Sequence, residues 1–244
     1  KKRKLVNKYQ YDDLLIRSQD PYANAKYEVI LDRLKQNKNK KILNAGCGSG
    51  ELSFILAQYG YCVDGFDLDK DYIALAKTNA KKLKLKNCNF SVSGIENFKS
   101  RTKYDVVIST DVLEHIEDDK NAFRKLTSFV KNKGLVIITV PAGQYLYGFH
   151  DEKLGHYRRY SIASFKKIIP ENLKEINLRY FGFFLIPVAF LISKIIRKSY
   201  PVAKLGDKKK NPFMNSLLKI VLQIEKKANF PLGTSLLFFS RRFR

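Results

Sequence analysis

The chain has 244 residues, 45% of them hydrophobic, enough to bury a sizeable core, which excludes a disordered tail. Lysine and arginine number 46 against 23 acids, a formal net charge of +23 that points to an anionic partner, either lipid headgroups or nucleic acid. Cys47, Cys62 and Cys88 lack the spacing of zinc ligands or of a disulfide framework and suit a reducing cytoplasm.

Lys1-Lys-Arg-Lys4 runs into polar residues, so no secretory signal is expected. Residues 20–36 read as a helix, with Asp20 as N-cap before Pro21. A strand over 41–45 leads to a helix over 50–59 that carries Leu52, Ile55, Leu56 and Tyr59 at helical spacing. A strand over 61–66 and a helix over 70–83 follow, then strands over 88–92 and 104–109 and a helix over 118–130. Residues 134–141 form an unbroken apolar run, as expected of a strand covered on both faces. After a polar loop over 142–160 come a short helix over 161–169 and a strand over 174–181.

The apolar run 180–192 is too short to span a bilayer, and Lys194, Arg197 and Lys198 follow it on one helical face. An amphipathic helix over 212–228 has Asn215, Lys219 and Gln223 on one stripe, with Leu217, Ile220, Val221 and Ile224 on its apolar side. Residues 182–244 hold 13 basic residues and only two acids, Asp207 and Glu225. These helices read either as core and dimer contacts or as an element lying on an anionic membrane. Strands alternating with helices predict an α/β fold with a parallel sheet and ligands at the strands' carboxyl ends.

Chemistry concentrates at those ends. Asn44-Ala-Gly-Cys-Gly-Ser-Gly50 is a glycine turn between strand and helix, and Asp67-Leu68 ends the next strand, where a carboxylate can grip a ribose diol. The glycine spacing differs from the dinucleotide pattern, and no P-loop lysine follows. The turn and Asp67 resemble the class I S-adenosylmethionine-dependent methyltransferases, with Asn44 standing where that family usually has an acid. The resemblance implies a Rossmann-like sheet of order 3-2-1-4-5-7-6, its last strand antiparallel over about 233–241. The core is then expected over 1–181, a helical insertion over 182–230 and the final strand within 231–244. It also implies S-adenosylmethionine as cofactor, held by Asn44, Gly46, Cys47, Gly48, Gly50, Asp67 and Leu68. Ile95 and Glu96 would meet the adenine, and Thr110, Asp111 and Val112 would line the methionine end.

Asp111-Val-Leu-Glu-His115 is similar to a signature of methyltransferases acting on quinones and related small molecules, and His115 is placed on the substrate side. It differs from the strand tip of enzymes that methylate exocyclic base amines, and no cysteine follows a proline as in cytosine-C5 enzymes. Gly155-His156-Tyr157-Arg158-Arg159-Tyr160 resembles a segment of methyltransferases met in envelope-saccharide or lipid biosynthesis. His156, His150 and Tyr160 are therefore expected in catalysis, with Arg158 and Arg159 on a phosphate or carboxylate of the acceptor. The structural alternative pairs these arginines with Asp151 and Glu152. Two histidines with intervening carboxylates could also ligate a metal, but none is expected. The expected reaction is O-methylation of a lipid, prenyl quinone or lipid-linked saccharide, by a cytoplasmic protein peripheral on the inner face of the membrane. An RNA methyltransferase and a non-catalytic cofactor-binding scaffold are the competing readings.

Overall fold

The computed structural model describes residues 20–34, 40–197 and 212–243. The basic residues Lys1–Lys4, Lys198 and Lys208–Lys210 lie outside them. In chain order the elements are α1 (Pro21–Leu34), β1 (Lys41–Ala45), α2 (Glu51–Gln58), β2 (Cys62–Asp67), α3 (Lys70–Lys82), β3 (Cys88–Val92) and β4 (Tyr104–Thr110). There follow α4 (Asp119–Thr127), β5 (Val130–Pro141), α5 (Phe149–Leu154), α6 (Ile162–Lys166), β6 (Leu173–Phe181), α7 (Ile186–Phe190), α8 (Pro212–Lys227) and β7 (Ser235–Arg242).

The seven strands run in the order 3-2-1-4-5-7-6, parallel except for β7, which pairs antiparallel with both β5 and β6. Adjacent residues of a strand face opposite sides, and here both sides are apolar. Ile42, Leu237 and Phe239 enter one core layer with Ile30, Leu34 and Leu56, while Leu43, Leu236 and Phe238 enter the other with Phe123 and Phe165. Each such fully buried side chain contributes about 1.5–3 kcal/mol over its exposed state. This double cover leaves the carboxyl ends of β1, β2 and β4 as the open edge.

Local chemistry sets the element ends. Asp20 Oδ1 accepts from the Tyr22 amide at 2.8 Å, capping α1 as its position predicts. Tyr59 is 51% exposed, because it ends α2 instead of extending its buried stripe. Strand β5 begins at Val130, earlier than the apolar run, because a bulge after Tyr104 lets the polar Lys131, Asn132 and Lys133 join the strand. The expected loop over 142–160 contains a turn of 3₁₀ helix, Gln144–Leu146, and α5, which stops at Gly155 in the left-handed region (φ 76°).

The run 180–192 is not one element. Strand β6 ends at Phe181, Gly182 turns the chain at φ 85°, and a 3₁₀ turn (Phe183–Leu185), α7 and a π-helix (Leu191–Ile196) follow. On α8 the buried side is Leu218, Leu222 and Glu225, so Leu217, Ile220 and Ile224 of the expected apolar stripe point outward. No helix among the described residues is long and apolar enough to cross a membrane.

Candidate active site

The glycine turn is built by backbone geometry. Gly46, Gly48 and Gly50 take φ of 70°, 54° and 98°, all in the left-handed region. A Cβ on Gly46 would stand 2.4 Å from Val112 Cγ2, so glycine lets the tip of β4 close on the turn. The Gly46 and Cys47 amides donate to Phe66 O, and the Gly48 amide donates to Asp67 Oδ2 at 2.9 Å, seating the turn against β2. The Asp69 amide donates to Asp67 Oδ1 at 3.0 Å. Burial raises the Asp67 carboxyl above its usual range, and the charge of Asp69 adds to the push, against the backbone amides of Asp69, Gly48 and Leu68. Backbone donors alone leave acceptor capacity on this desolvated carboxylate, which is the group a vicinal diol would satisfy.

Other expected cofactor residues divide between pocket and core. Asn44 is buried and its Nδ2 donates to Ser53 Oγ at 2.9 Å, tying β1 to α2. Cys47 packs with Phe54 and Phe90, and burial pushes its thiol pKa up; only its backbone is part of the turn. Ile95 is buried in the core beside Phe66, whereas Leu68 and Glu96 are exposed near Gly94. Thr110, Asp111 and Val112 are half-buried at the β4 tip.

Asp111 holds a positive φ of 55°, a strained conformation for a residue with a side chain. Its Oδ1 accepts from Thr139 Oγ1 at 3.1 Å and its Oδ2 pairs with Lys26 Nζ at 2.5 Å. Lys26 is buried, with its ammonium 5.2 Å from the centre of the Tyr22 ring. Sequence reading missed this cation at the β4 tip. The signal was a lysine between Ala25 and Tyr27, on the apolar side of α1.

The loop after β5 folds back on the 3₁₀ turn Leu113–His115, with the Tyr157 amide donating to Glu114 O at 2.8 Å. His156 Nδ1 donates to Asp151 Oδ1 at 2.8 Å, while its Nε2 lies 3.9 Å from Glu114 Oε1. The His115 ring meets the His156 ring edge-on, 4.6 Å between centroids. Asp151 is fully buried; it also accepts from Arg159 Nε at 2.7 Å and from the Gly148 amide at 3.1 Å. Burial opposes its ionisation, but the His156 hydrogen bond and the Arg159 charge outweigh that and bring the carboxyl to about 2. Ligand atoms of Glu114, His115 and His156 lie within 4.8 Å of one another, a spacing a divalent cation can bridge. His150 is half-buried on α5 and is not a member of this group.

Three expected acceptor residues have different surroundings. Arg159 is buried, with Nε on Asp151 and Nη1 donating to Ala142 O at 3.3 Å. Arg158 pairs with Asp119 at 2.7 Å and donates to Glu117 O at 2.9 Å. Tyr160 is 2% exposed, packs against Phe165, and its hydroxyl donates to Asp119 Oδ2 at 2.7 Å, so it belongs to the core. Burial, reinforced by Asp119, raises its hydroxyl pKa far above that of a free tyrosine, so it cannot serve as an anionic base. Tyr160→Phe should therefore cost stability, about 1–3 kcal/mol for the lost buried hydrogen bond, and leave turnover nearly intact. Urea unfolding and methyl-transfer rates on the same preparation check both halves.

Residues 36–176 match a family model described as a methyltransferase domain, more than half of the chain. The chain belongs to the methyltransferase-domain family. It is similar to ubiquinone biosynthesis O-methyltransferases from Pelagibacter ubique (36% identical over 104 residues, 43% of each chain) and Rickettsia canadensis (34% over 116 residues, 46% of this chain and 49% of the relative). The match thus spans less than half the length of these curated relatives. In fold it resembles the N-methyltransferase NodS from Bradyrhizobium japonicum in complex with S-adenosyl-L-homocysteine (TM-score 0.60, 14% identity, 91% of this chain and 88% of that one). It also resembles the cyclase SpnF (TM-score 0.64, 12% identity, 91% and 81%), so the fold alone does not fix the reaction.

As a methyltransferase domain it uses S-adenosylmethionine, and its residues fit that group. The glycine turn leaves room for close backbone approach, and Asp67 is a desolvated carboxylate with acceptor capacity to spare.

Proposed function

We propose that this methyltransferase domain O-methylates an apolar acceptor of the prenyl-quinone type, a phenolic or catecholic ring with a lipid tail, met at the inner membrane surface. Lipids and lipid-linked saccharides share the chemistry of a hydroxyl on an apolar carrier. The observation that carries the reading is His156, its Nδ1 hydrogen held by Asp151, beside Glu114 and His115 just after the β4 tip. The names of the curated relatives support the quinone class.

When bound, the cofactor supplies a methyl group made electrophilic by its sulfonium. Asp67 would hold the ribose diol, and the Gly46–Gly50 turn would let the backbone approach closely. Lys26 would offer its ammonium, now on Asp111, to the carboxylate of the cofactor's amino-acid tail. Asp151 fixes the tautomer of His156 that leaves Nε2 with a lone pair, so Nε2 would take the acceptor hydroxyl's proton as methyl transfer proceeds. Arg159 keeps Asp151 ionised and in place, a positioning part instead of the acceptor contact expected from sequence. The remaining gain comes from aligning the two reactants out of water.

The test is methyl transfer from isotope-labelled S-adenosylmethionine to a short-tailed, water-soluble catechol, with the product read by mass spectrometry. A methyl ether is the expected product. Methylation of carbon or nitrogen instead, or no transfer to any hydroxylated ring while cofactor binding is intact, overturns the reading.

A further inference from the structure

Helix α8 is apolar on two opposite sides. Leu218 and Leu222 face inward with Glu225, while Leu217, Ile220 and Ile224 face outward at 44%, 59% and 49% exposure. A helix meeting only water would carry polar residues on that outer stripe. The orientation is enforced by polar anchors. Glu225 is buried and accepts from the amides of Gly182 and Phe184. Arg179 donates to the carbonyls of Glu225, Lys226 and Ala228, and Lys226 pairs with Glu28 on α1. Rolling α8 to hide the outer stripe would strip these partners from a buried carboxylate.

The π-helix repeats the arrangement. Ser193 faces inward against Gly148, while Leu191, Ile195 and Ile196 face outward at 47%, 64% and 48% exposure. Phenylalanines tie the segment before the π-helix to the end of α8. Phe183 stacks on Phe230 at 4.9 Å, and the Phe184 amide is held by Glu225, the residue after Ile224.

Charge selects the occupant. Lys194, Arg197, Lys219 and Lys227 are exposed beside these stripes. The one carboxylate among the described residues between β6 and β7 is Glu225, which is buried. With Glu28 taken up by Lys226, a face whose remaining exposed charges on these helices are positive repels a copy of itself across a two-fold interface, which disfavours self-association. Nucleic acid would match the cations but would leave the isoleucines in water. Apolar side chains flanked by cations fit the headgroup and upper acyl region of an anionic bilayer.

We infer that the outer faces of α8 and Leu191–Ile196 dock this methyltransferase domain on an anionic lipid surface without crossing it. The inference rests on, and deepens, the proposed apolar acceptor. Ser193 presses on Gly148, whose amide is held by Asp151, the carboxylate that orients His156. The docking face therefore lies against the back of the acceptor helix α5, and a bilayer-dissolved acceptor needs no long excursion through water.

The test is co-sedimentation of the full chain with phosphatidylcholine vesicles, with and without phosphatidylglycerol, across a salt series. Wild type should pellet with the anionic vesicles at low salt and keep a salt-insensitive residue of binding. A triple variant L191S/I195S/I196S should lose about tenfold or more in affinity and keep only salt-sensitive binding. K194E/R197E should lose a similar factor, mainly at low salt. Failure of wild type to bind anionic vesicles, or equal binding by the triple variant, overturns the inference. So does sedimentation velocity in which the triple variant turns a dimer into a monomer while vesicle binding is unchanged. RNA binding that survives the triple substitution, without vesicle binding, overturns it too. Methylation of the soluble catechol, run alongside, separates the two ideas. Intact transfer without vesicle binding removes the docking face alone, and vesicle binding without transfer removes the acceptor reading alone.

Discussion

Asp67→Ala should lower affinity for S-adenosylmethionine and its demethylated product by about 10²–10⁴-fold, through loss of two charge-assisted hydrogen bonds of roughly 1.5–3 kcal/mol each. The size follows from the state of the carboxylate. It is desolvated, it faces the glycine turn, and its present donors are the Asp69, Gly48 and Leu68 amides. Because burial raises its pKa, the proton returns earlier on acidification than for an ordinary aspartate. Affinity should accordingly be full at neutral pH and fall as pH drops through that raised value, since the protonated form offers fewer acceptors. Alanine should flatten this acid limb as well as weaken binding. Titration calorimetry across a pH series measures both, and unchanged affinity in the variant would remove Asp67 from the cofactor site.

His156→Ala should reduce the rate of methyl transfer by about 10²–10⁴-fold while cofactor affinity stays within a few-fold of wild type. The split is diagnostic because the ring of His156 is held by Asp151, Glu114 and His115, on the loop after β5 and the turn after β4. A compound change, in which the variant loses cofactor binding or cooperativity of unfolding, would mean that the histidine mainly ties the acceptor loop to the turn after β4. Single-turnover rates with the soluble catechol, beside calorimetry, distinguish these results.

The sheet was legible because its information is local. Each strand is a short apolar run, each helix has a stripe at period 3.6, and the glycine turn marks where the first pair meets. What was lost needed contacts between distant residues. The bulge after Tyr104 hid the polar start of β5, and six-residue α5 is too short to show a period. Lys26 finds Asp111 across 85 residues, and Tyr160 finds Asp119 across 41, so neither partnership leaves a mark on its own segment. In the loop over 142–160 the residue types were legible but not their partners. Arg159–Asp151, one of the pairs named as the structural alternative, is present, leaving His156 as the group turned toward the β4 side. On α8 the outer and inner stripes could not be told apart by hydropathy, because the decision belongs to Glu225 and the amides it caps 41 and 43 residues earlier.

The antiparallel β7 has a consequence for how the molecule is made. It lies between β5 and β6, yet it is the last of the seven strands to leave the ribosome. Until then β5 presents an open edge of unpaired amides, and both layers lack Leu236, Leu237, Phe238 and Phe239. The nascent chain has by that point already released the outward isoleucines of the π-helix and α8. Synthesis thus passes through a window in which an unfinished sheet and a sticky surface coexist, the combination that chaperones or a nearby bilayer would be needed to shield.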